Sequence, residues 1–288
     1  MFSLLSRIPF IARSSMKVRI ILLTALCLFI YSTTLAGLIL TWYKIDTTVP
    51  FHWFDDSKGW LFIDKFGHFF TAFIECSILT SWWCWSGLPH KKCLIIASCW
   101  AFFAQSSYEI FDGLSAGYGA SITDIIANGA GVLVVCIQFF TFKKLILFSK
   151  LSFHPTHYAP LRPEFFGTNA IQQFLKDYNG QTFWFTLDFN GLLKRNILPS
   201  WLYITVGYGA DGMLGGDDNI WTDKNQVTHD FSNVTRSSRL LLSIDFNWDK
   251  IKNKRLHALL YIFNYVKFPA PTIEFHFHKG LRFHFLYF

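Results

Sequence analysis

Charged residues are scarce in this sequence. They make up 16% of the 288 residues, whereas apolar residues make up 52% and aromatic residues 19%. The net charge of +7 comes in short clusters between apolar runs and not as one basic face, and no RNA- or DNA-binding signature is present. This composition favours a bilayer as the environment of the chain and argues against a nucleic-acid partner.

Several motifs of catalysis and metal binding are also missing. The sequence contains no HExxH, no P-loop and no CxxC. Its six cysteines lie in apolar segments of the first half without disulfide-framework or metal spacing, and we interpret them as small buried hydrophobic residues. Cys27 does not form a lipobox, because Leu26 occupies a place that needs a small residue. We therefore assign no cofactor and no resident metal, and we identify no nucleophile.

Four apolar runs are long enough to cross a membrane. They are Ile20–Tyr43, Phe66–Leu88, Cys93–Phe111 and Ile122–Phe142. At a rise of about 1.5 Å per residue, each run spans a hydrocarbon core of about 30 Å as a helix. The sequence therefore predicts an α-helical membrane bundle of about four transmembrane helices over residues 20–142.

The first run has a second interpretation. A basic stretch ending at Arg19 precedes it, and Ala36 closes a passable signal-peptidase site, as in a cleaved signal peptide. However, the apolar run continues past that site to Trp42 and Tyr43, a pair typical of a membrane interface. We favour an uncleaved anchor and keep cleavage near Ala36 as the alternative.

The charges of the loops indicate an orientation. Basic residues cluster before the first run, after the second and after the fourth, whereas the intervening loops are acidic. Because loops rich in Lys and Arg face the cytoplasm, we predict a cytoplasmic N-terminus (residues 1–19) and a cytoplasmic region after Lys143. The chain is then a multi-pass protein of the cell inner membrane. The terminal Phe288 is typical of outer-membrane barrels, so an outer-membrane location is the alternative.

Three of the runs carry a polar stripe. Residues at helical spacing share one face of a helix. The three stripes are Asp64, His68, Thr71 and Glu75; Gln105, Glu109 and Asp112; and Ser121, Asp124, Asn128 and Gly131. Because charged groups in a bilayer turn inward and pair, we predict that the stripes face one another in a polar pocket toward the outer side. Gly129 and Gly131 are expected to permit close helix packing, and Glu75, near mid-membrane, to be protonated or hydrogen-bonded.

The pocket suggests roles for its side chains. We predict His68 and Asp64 as a general acid–base pair in which the carboxylate orients the imidazole, with Glu109 as a second carboxylate. A divalent cation held by His68, Glu109 and Asp124 is a less favoured alternative. A further alternative is that the polar stripes serve only to pack the helices together. The residues predicted to bind a ligand are Lys65, Asp112, Asp124, Asn128, Glu75 and Gln105.

These stripes carry a family likeness. The segments DKFGHF, QSSYEIFDG and SITDIIANGAG resemble the VanZ-like membrane proteins, and a longer stretch from Phe51 onward resembles the YfiM-like bacterial envelope proteins. The resemblance implies a link to envelope lipids or peptidoglycan but no agreed activity. The positions shared with the VanZ-like pattern are Asp64, Lys65, His68, Glu109, Asp112, Asp124 and Asn128. The chain departs from that pattern around Glu109, where Tyr108 precedes it and Asp112 stands in the place of Gln.

The second half has shorter apolar runs and more turn signals. We predict a linker over residues 143–168, which contains three prolines, and a smaller β-rich antiparallel domain over residues 169–288. In the C-terminal hairpin, the pattern predicts a loop at Lys279–Leu281 that pairs His276 with His284. That register groups the phenyl rings and Tyr287 on one face and leaves a solvated polar face opposite, where a metal site is disfavoured.

The function predicted from these features is that of an envelope membrane protein that binds or processes an envelope lipid or its head group. If it is an enzyme, we expect a hydrolase or group transferase that uses acid–base chemistry at His68. The alternative is a non-enzymatic scaffold whose C-terminal domain binds another envelope protein.

Overall fold

A computed structural model describes residues 14–40, 48–223, 225–251, 260 and 262–288. The predictions for Trp42 and Tyr43, and for the basic residues before Ser14, lie outside these residues. The chain divides into two compact units. The first comprises residues 1–56, 68–145 and 253–259, and the second comprises residues 57–67, 146–252 and 260–288. Each unit is described by itself below.

Four long helices occupy the first half of the chain. They are α1 (Met16–Leu38), α2 (Ile63–Trp85), α3 (His90–Gly113) and α4 (Ile122–Phe142). Each coincides with one predicted run, and the bounds of α4 agree with its run at both ends. The helical N-terminal region is therefore confirmed.

The number of candidate membrane spans is smaller than predicted. Among the described residues, α1, α3 and α4 are long and apolar enough to cross a membrane, and α2 is not. By the criteria of length and apolar composition, the described residues therefore contain three candidate spans and not the four predicted. The physical reason is the polar stripe of α2, since Asp64, Lys65, His68 and Glu75 lower the apolar content of that helix.

Close packing of α2 and α4 depends on a single glycine. A Cβ atom at Gly131 would collide with the backbone carbonyl oxygen of Phe69, and it would lie 3.0 Å from the backbone nitrogen of Phe73. At Gly129, a Cβ atom would meet only the ring of Phe102 at 3.5 Å, which is an ordinary contact. Gly131 thus permits the close approach that the sequence predicted, and Gly129 does not contribute to it.

The second unit contains a six-stranded antiparallel sheet. Its strand order is β1-β2-β3-β6-β7-β8, and a separate pair, β4 and β5, forms a small hairpin. This confirms the predicted antiparallel β-rich region. The strands are β1 (Leu147–Phe153), β2 (Gln181–Leu187), β3 (Leu202–Asp211), β4 (Ile220–Thr222), β5 (Thr228–Asp230), β6 (Ser237–Phe246), β7 (Ala270–His276) and β8 (Gly280–Tyr287).

The first strand and two of three short helices precede β2, and the third short helix follows it. The structure places β1 inside the predicted linker of residues 143–168 and pairs it with β2. Of the short helices, α6 begins after Asn169, whose side chain caps it by accepting a hydrogen bond from the Gln172 backbone N–H. The three short helices are α5 (Pro163–Phe166), α6 (Ala170–Lys176) and α7 (Phe189–Leu193).

The sheet curls around its polar face. Lys150 of β1 forms an ion pair with Asp245 of β6 at 2.9 Å, although β2 and β3 lie between those strands. The hydroxyl group of Tyr287, on the last strand, lies 3.3 Å from that of Thr182 on β2. The curl therefore encloses side chains of the polar face.

The C-terminal hairpin has a different register from the predicted one. His276 pairs with Gly280, and Ile273 pairs with Phe283, so the loop comprises residues 277–279. Gly280 follows the loop with φ +75°, a conformation that favours glycine, and this position of the glycine fixes the register. An irregularity near Ala270 moves Tyr287 to the polar face. The predicted register is therefore wrong, and the face predicted to be solvated is buried at Glu274 and His276.

A left-handed turn precedes α2 in the second unit. Trp60, Leu61 and Phe62 have φ values of +53°, +49° and +66°, which are costly for residues with a Cβ atom. Two hydrogen bonds hold the turn: the Trp60 backbone N–H donates to Gly216 O at 2.8 Å, and the Tyr208 hydroxyl donates to Leu61 O at 2.6 Å.

Candidate functional site

His68 is the central residue of a polar cluster in the helical unit. It lies on α2, and its Nδ1 atom is 3.3 Å from Oδ1 of Asn128 and 3.9 Å from Oε1 of Glu109. Its Nε2 atom is 3.7 Å from Oδ2 of Asp124. Each ring nitrogen therefore has a different polar neighbour, and the two carboxylates lie on opposite sides of the imidazole.

The burial of the cluster is graded. The side chain of His68 is 23% exposed, whereas those of Glu109 and Asp124 are 3% and 7% exposed. Asn128 is fully buried, and its Nδ2 atom has no hydrogen-bond partner among the described residues. A ligand can therefore reach the imidazole, while the two carboxylates behind it are shielded from water. Low solvent access strengthens the interaction between these carboxylates and a proton or cation at the ring.

The N-terminus of α4 fixes the position of the two carboxylates. The backbone N–H of Ser121 donates to Oε2 of Glu109 at 3.0 Å, and the Ser121 hydroxyl accepts from the Asp124 backbone N–H at 3.2 Å. The same hydroxyl donates to Oδ1 of Asp56 at 2.6 Å, and Thr123 donates to that oxygen at 3.0 Å. Ser121 is thus an N-cap that also connects two carboxylates, those of Glu109 and Asp56.

A second polar chain links α2 and α3. The Thr71 hydroxyl donates to Oε1 of Gln105 at 3.2 Å, and Nε2 of Gln105 donates to Oε2 of Glu75 at 2.7 Å. Glu75 is therefore hydrogen-bonded, as the sequence predicted. Both residues of this pair came from the stripe analysis, which also placed their helix faces opposite each other.

Three other predicted residues have different surroundings. Asp64 and Lys65 belong to the second unit, where Oδ1 of Asp64 accepts from the Tyr178 hydroxyl at 2.7 Å and Oδ2 lies 3.1 Å from Lys65 Nζ. The role of Asp64 in orienting His68 stays a prediction. Asp112 is half-buried in the last turn of α3, where burial and the Asp112 charge raise the pKa of Tyr118 to about 12. Tyr118 is therefore a neutral hydroxyl at physiological pH.

The arrangement limits the chemistry of the cluster. Nδ1 and Nε2 of one imidazole cannot both bind the same ion, so a cation held by His68, Glu109 and Asp124 together does not fit this placement. Within this unit, Nε2 of His68 and Oδ2 of Asp124 are ligand atoms that one cation or one water molecule can bridge. Contacts of Nδ1 with Asn128 and Glu109 orient the ring, as outer partners of functional histidines do.

Sequence reasoning missed one member of the His68 cluster and one partner of Asp64. Asp56, which accepts a hydrogen bond from Ser121, was counted only among the acidic loop charges. Tyr178, the partner of Asp64 within the second unit, lies in a turn far along the chain. A signal for Asp56 existed, because Ser121 and Thr123 at a helix start offer hydroxyl donors to a nearby carboxylate. No local pattern marks Tyr178.

The comparison with protein families was informative for the helical region. Residues 52–139 match the model of a family described as predicted periplasmic lipoprotein (DUF2279). The match associates the chain with the bacterial envelope. The matched segment includes His68, Glu109, Asp124 and Asn128, and it covers less than a third of the chain. Nothing among curated proteins or solved structures matches the chain. The likeness to VanZ-like and YfiM-like proteins remains a resemblance of motifs.

Proposed function

We propose that this chain is an integral membrane protein of the bacterial envelope whose helical unit binds or processes the head group of an envelope lipid at His68. The observation that carries this proposal is the partly exposed imidazole between Glu109 and Asp124, two carboxylates that are almost fully buried. Burying ionisable groups between apolar helices is costly, and such groups mark functional sites in membrane proteins. The envelope association of residues 52–139 supports the choice of substrate class.

In the catalytic form of the proposal, His68 is the general acid–base group. With Asn128 Oδ1 accepting the Nδ1 proton, the lone pair of Nε2 is available on the side of Asp124. Nε2 then takes a proton from a water molecule that attacks the head-group linkage, and it returns the proton to the leaving group. Asp124 stabilises the imidazolium between these steps. The reaction class is hydrolysis or group transfer without a nucleophilic side chain.

The proposal is tested with the purified full chain and three variants. His68→Ala and Glu109→Gln remove parts of the cluster, and His90→Ala is the matched control because His90 is an exposed histidine of the same unit. Each protein is incubated with an envelope lipid extract, and mass spectrometry measures co-purified lipids and released head groups. We expect the two cluster variants to lose lipid selectivity or head-group release while the control retains them. Folded cluster variants with the wild-type lipid profile would contradict the proposal.

The scaffold alternative has one observation in its favour. Several polar groups in the helices bind one another: Thr71, Gln105 and Glu75 form one chain, and Ser98 lies 3.0 Å from Cys136 Sγ. Such contacts stabilise helix packing without a ligand. If the stripes serve only this purpose, His68→Ala and Glu109→Gln reduce the amount of folded protein and do not change which lipids bind.

The membrane topology is part of the proposal. If α1, α3 and α4 all cross the bilayer, the number of crossings is odd and the chain ends lie on opposite sides; a crossing by α2 returns both ends to the cytoplasm. Reporter fusions after Gly117 and at Phe288 measure this. We propose inner-membrane insertion with a cytoplasmic N-terminus. Release of the N-terminal segment by signal peptidase near Ala36 would contradict that part.

A further inference from the structure

The polarity of the sheet is inverted. In β7 the buried side chains include Thr272, Glu274 and His276, whereas Ile273 and Phe275 between them are 45% and 46% exposed. A sheet in a water-soluble domain has the opposite pattern, with apolar residues on the packed face and polar residues outside. The inversion therefore needs an explanation in terms of the solvent on the outer face.

The outer face is apolar across three adjacent strands. The strand register places Leu240, Phe275 and Leu281 in one row. It places Leu242, Ile273 and Phe283 in the next row. These six side chains are between 43% and 72% exposed, and none carries a polar atom. We call this surface the outer apolar face. Exposed to water, a contiguous surface of this kind is unfavourable.

The enclosed face is largely polar and contains ionised groups. The Lys150–Asp245 pair is 1% and 0% exposed, and the Thr186 hydroxyl donates to Thr205 at 2.8 Å beside it. Near the end of the sheet, Nε2 of His284 lies 2.5 Å from Oε2 of Glu274. A protein that merely has an apolar docking patch keeps a predominantly apolar core, whereas in this sheet the buried side chains of Trp184 and Leu241 lie among polar ones. Polar-inside and apolar-outside alternation is the pattern of strands whose outer solvent is hydrocarbon.

We infer that the outer apolar face lies against the acyl chains of a phospholipid bilayer. The curl of the sheet and the pairing of its inner strands satisfy the backbone groups in the ladder, so these strands present mainly side chains outward. The three candidate spans of the same chain bring it to a membrane. A second copy of the chain is the competing occupant, but pairing of two copies would not require ionisable groups inside the sheet.

The inference is tested by photo-crosslinking in the full chain. The photoreactive residue p-benzoylphenylalanine replaces Phe283 or Phe275 on the outer apolar face. In the control it replaces Asn225, an exposed residue in the turn between β4 and β5. Each protein is reconstituted in vesicles of phosphatidylethanolamine and phosphatidylglycerol, irradiated, and analysed by intact-mass spectrometry. We expect a mass increase of one phospholipid at Phe283 and Phe275 and none at Asn225.

Two outcomes would overturn the inference. A covalent dimer would identify a second copy as the occupant, and the absence of any adduct at the two face positions would indicate contact with water. A third substitution, at Phe285, guards against misfolding, because this side chain is 76% exposed and little packing is lost there. A phospholipid adduct at Phe285 supports the inference, and a dimer or no adduct there overturns it. The result does not depend on the proposed role of His68.

Discussion

The helical unit and the sheet unit both enclose polar groups and expose apolar ones, but they do so in different ways. In the helices, the enclosed groups form narrow stripes, and apolar residues such as Phe103, Ile126 and Leu133 are more than half exposed around them. In the sheet, polar groups fill most of one whole face. The helical cluster includes His68, which solvent can reach, whereas the Lys150–Asp245 pair is closed. Under the proposed function, this difference is consistent with a ligand site in the helices and a structural role for the ion pair of the sheet.

The largest loss of stability is expected when the buried Lys150–Asp245 ion pair is broken. Asp245→Leu leaves the Lys150 ammonium buried without its partner carboxylate at 2.9 Å. An uncompensated buried charge typically destabilises a protein by about 3–5 kcal/mol. Unfolding of the full chain in detergent, followed by circular dichroism, measures the loss.

The control for this prediction is the double variant Lys150→Met/Asp245→Leu. It removes both charges and keeps an apolar contact, so we expect it to recover most of the stability that the single variant loses. Equal losses in the single and double variants would show that packing and not charge pairing holds this part of the sheet.

A pH dependence is expected from Lys267, next to the same pair. Burial lowers its pKa from 10.5 to about 8, although the Asp245 charge opposes this. Between these values the unfolded chain binds more protons than the folded chain, so the free energy of unfolding rises with pH through this window. The shift corresponds to roughly 3 kcal/mol. Unfolding measured from pH 7 to pH 10.5 should show this rise in the wild type.

Lys267→Met supplies the comparison, because it removes the titrating group and keeps a long side chain over the Trp184 ring. The slope of stability against pH should become smaller in this variant. An unchanged slope would mean that other groups titrate in this range and that the Lys267 ammonium is not penalised by burial.

In the helical unit, the comparable test is a change of one methyl group. Gly131→Ala forces the backbones of α2 and α4 apart at Phe69, and overpacking of this kind costs about 1–3 kcal/mol. Gly129→Ala is the matched control, since its Cβ meets only an ordinary contact. Alanine favours a helix over glycine by about 1 kcal/mol, so we expect this control to be neutral or stabilising. Thermal unfolding of both variants tests the packing, and equal melting temperatures would contradict it.

The helical unit was easier to predict from the sequence than the sheet. Helix periodicity placed His68, Glu109, Asp124 and Asn128 on facing sides, and the structure brings them together. The helical period of 3.6 residues depends only on local backbone geometry, so it can be recognised in the sequence without knowledge of tertiary contacts. It could not show that Glu109 and Asp124 lie near different ring nitrogens of His68, because that depends on how far each helix is rotated about its own axis.

The sheet was harder to predict because alternation identifies two faces but not which face is enclosed. The strand residues from Ile273 to His276 alternate as expected, yet the polar face is the buried one. The hairpin register depended on the position of Gly280: the loop lies two residues earlier than predicted and each pairing partner changes by four, an even shift that keeps the residues before the irregularity near Ala270 on their faces. Strand β1 was missed because LFSKLSF is short and contains Lys150, whose partner Asp245 lies far along the chain.

The smallest expected effect concerns the left-handed turn before α2. Phe62 has φ +66° and is half exposed, so its side chain contributes little packing to offset the strain of a Cβ atom in this conformation. Asparagine tolerates the left-handed region better than alanine does, and both remove the ring equally. We therefore expect Phe62→Asn to be more stable than Phe62→Ala by up to about 1 kcal/mol, measured by unfolding in detergent. If the alanine variant is equally stable, the turn relaxes without cost, and the hydrogen bonds to Gly216 and Tyr208 do not hold a strained backbone.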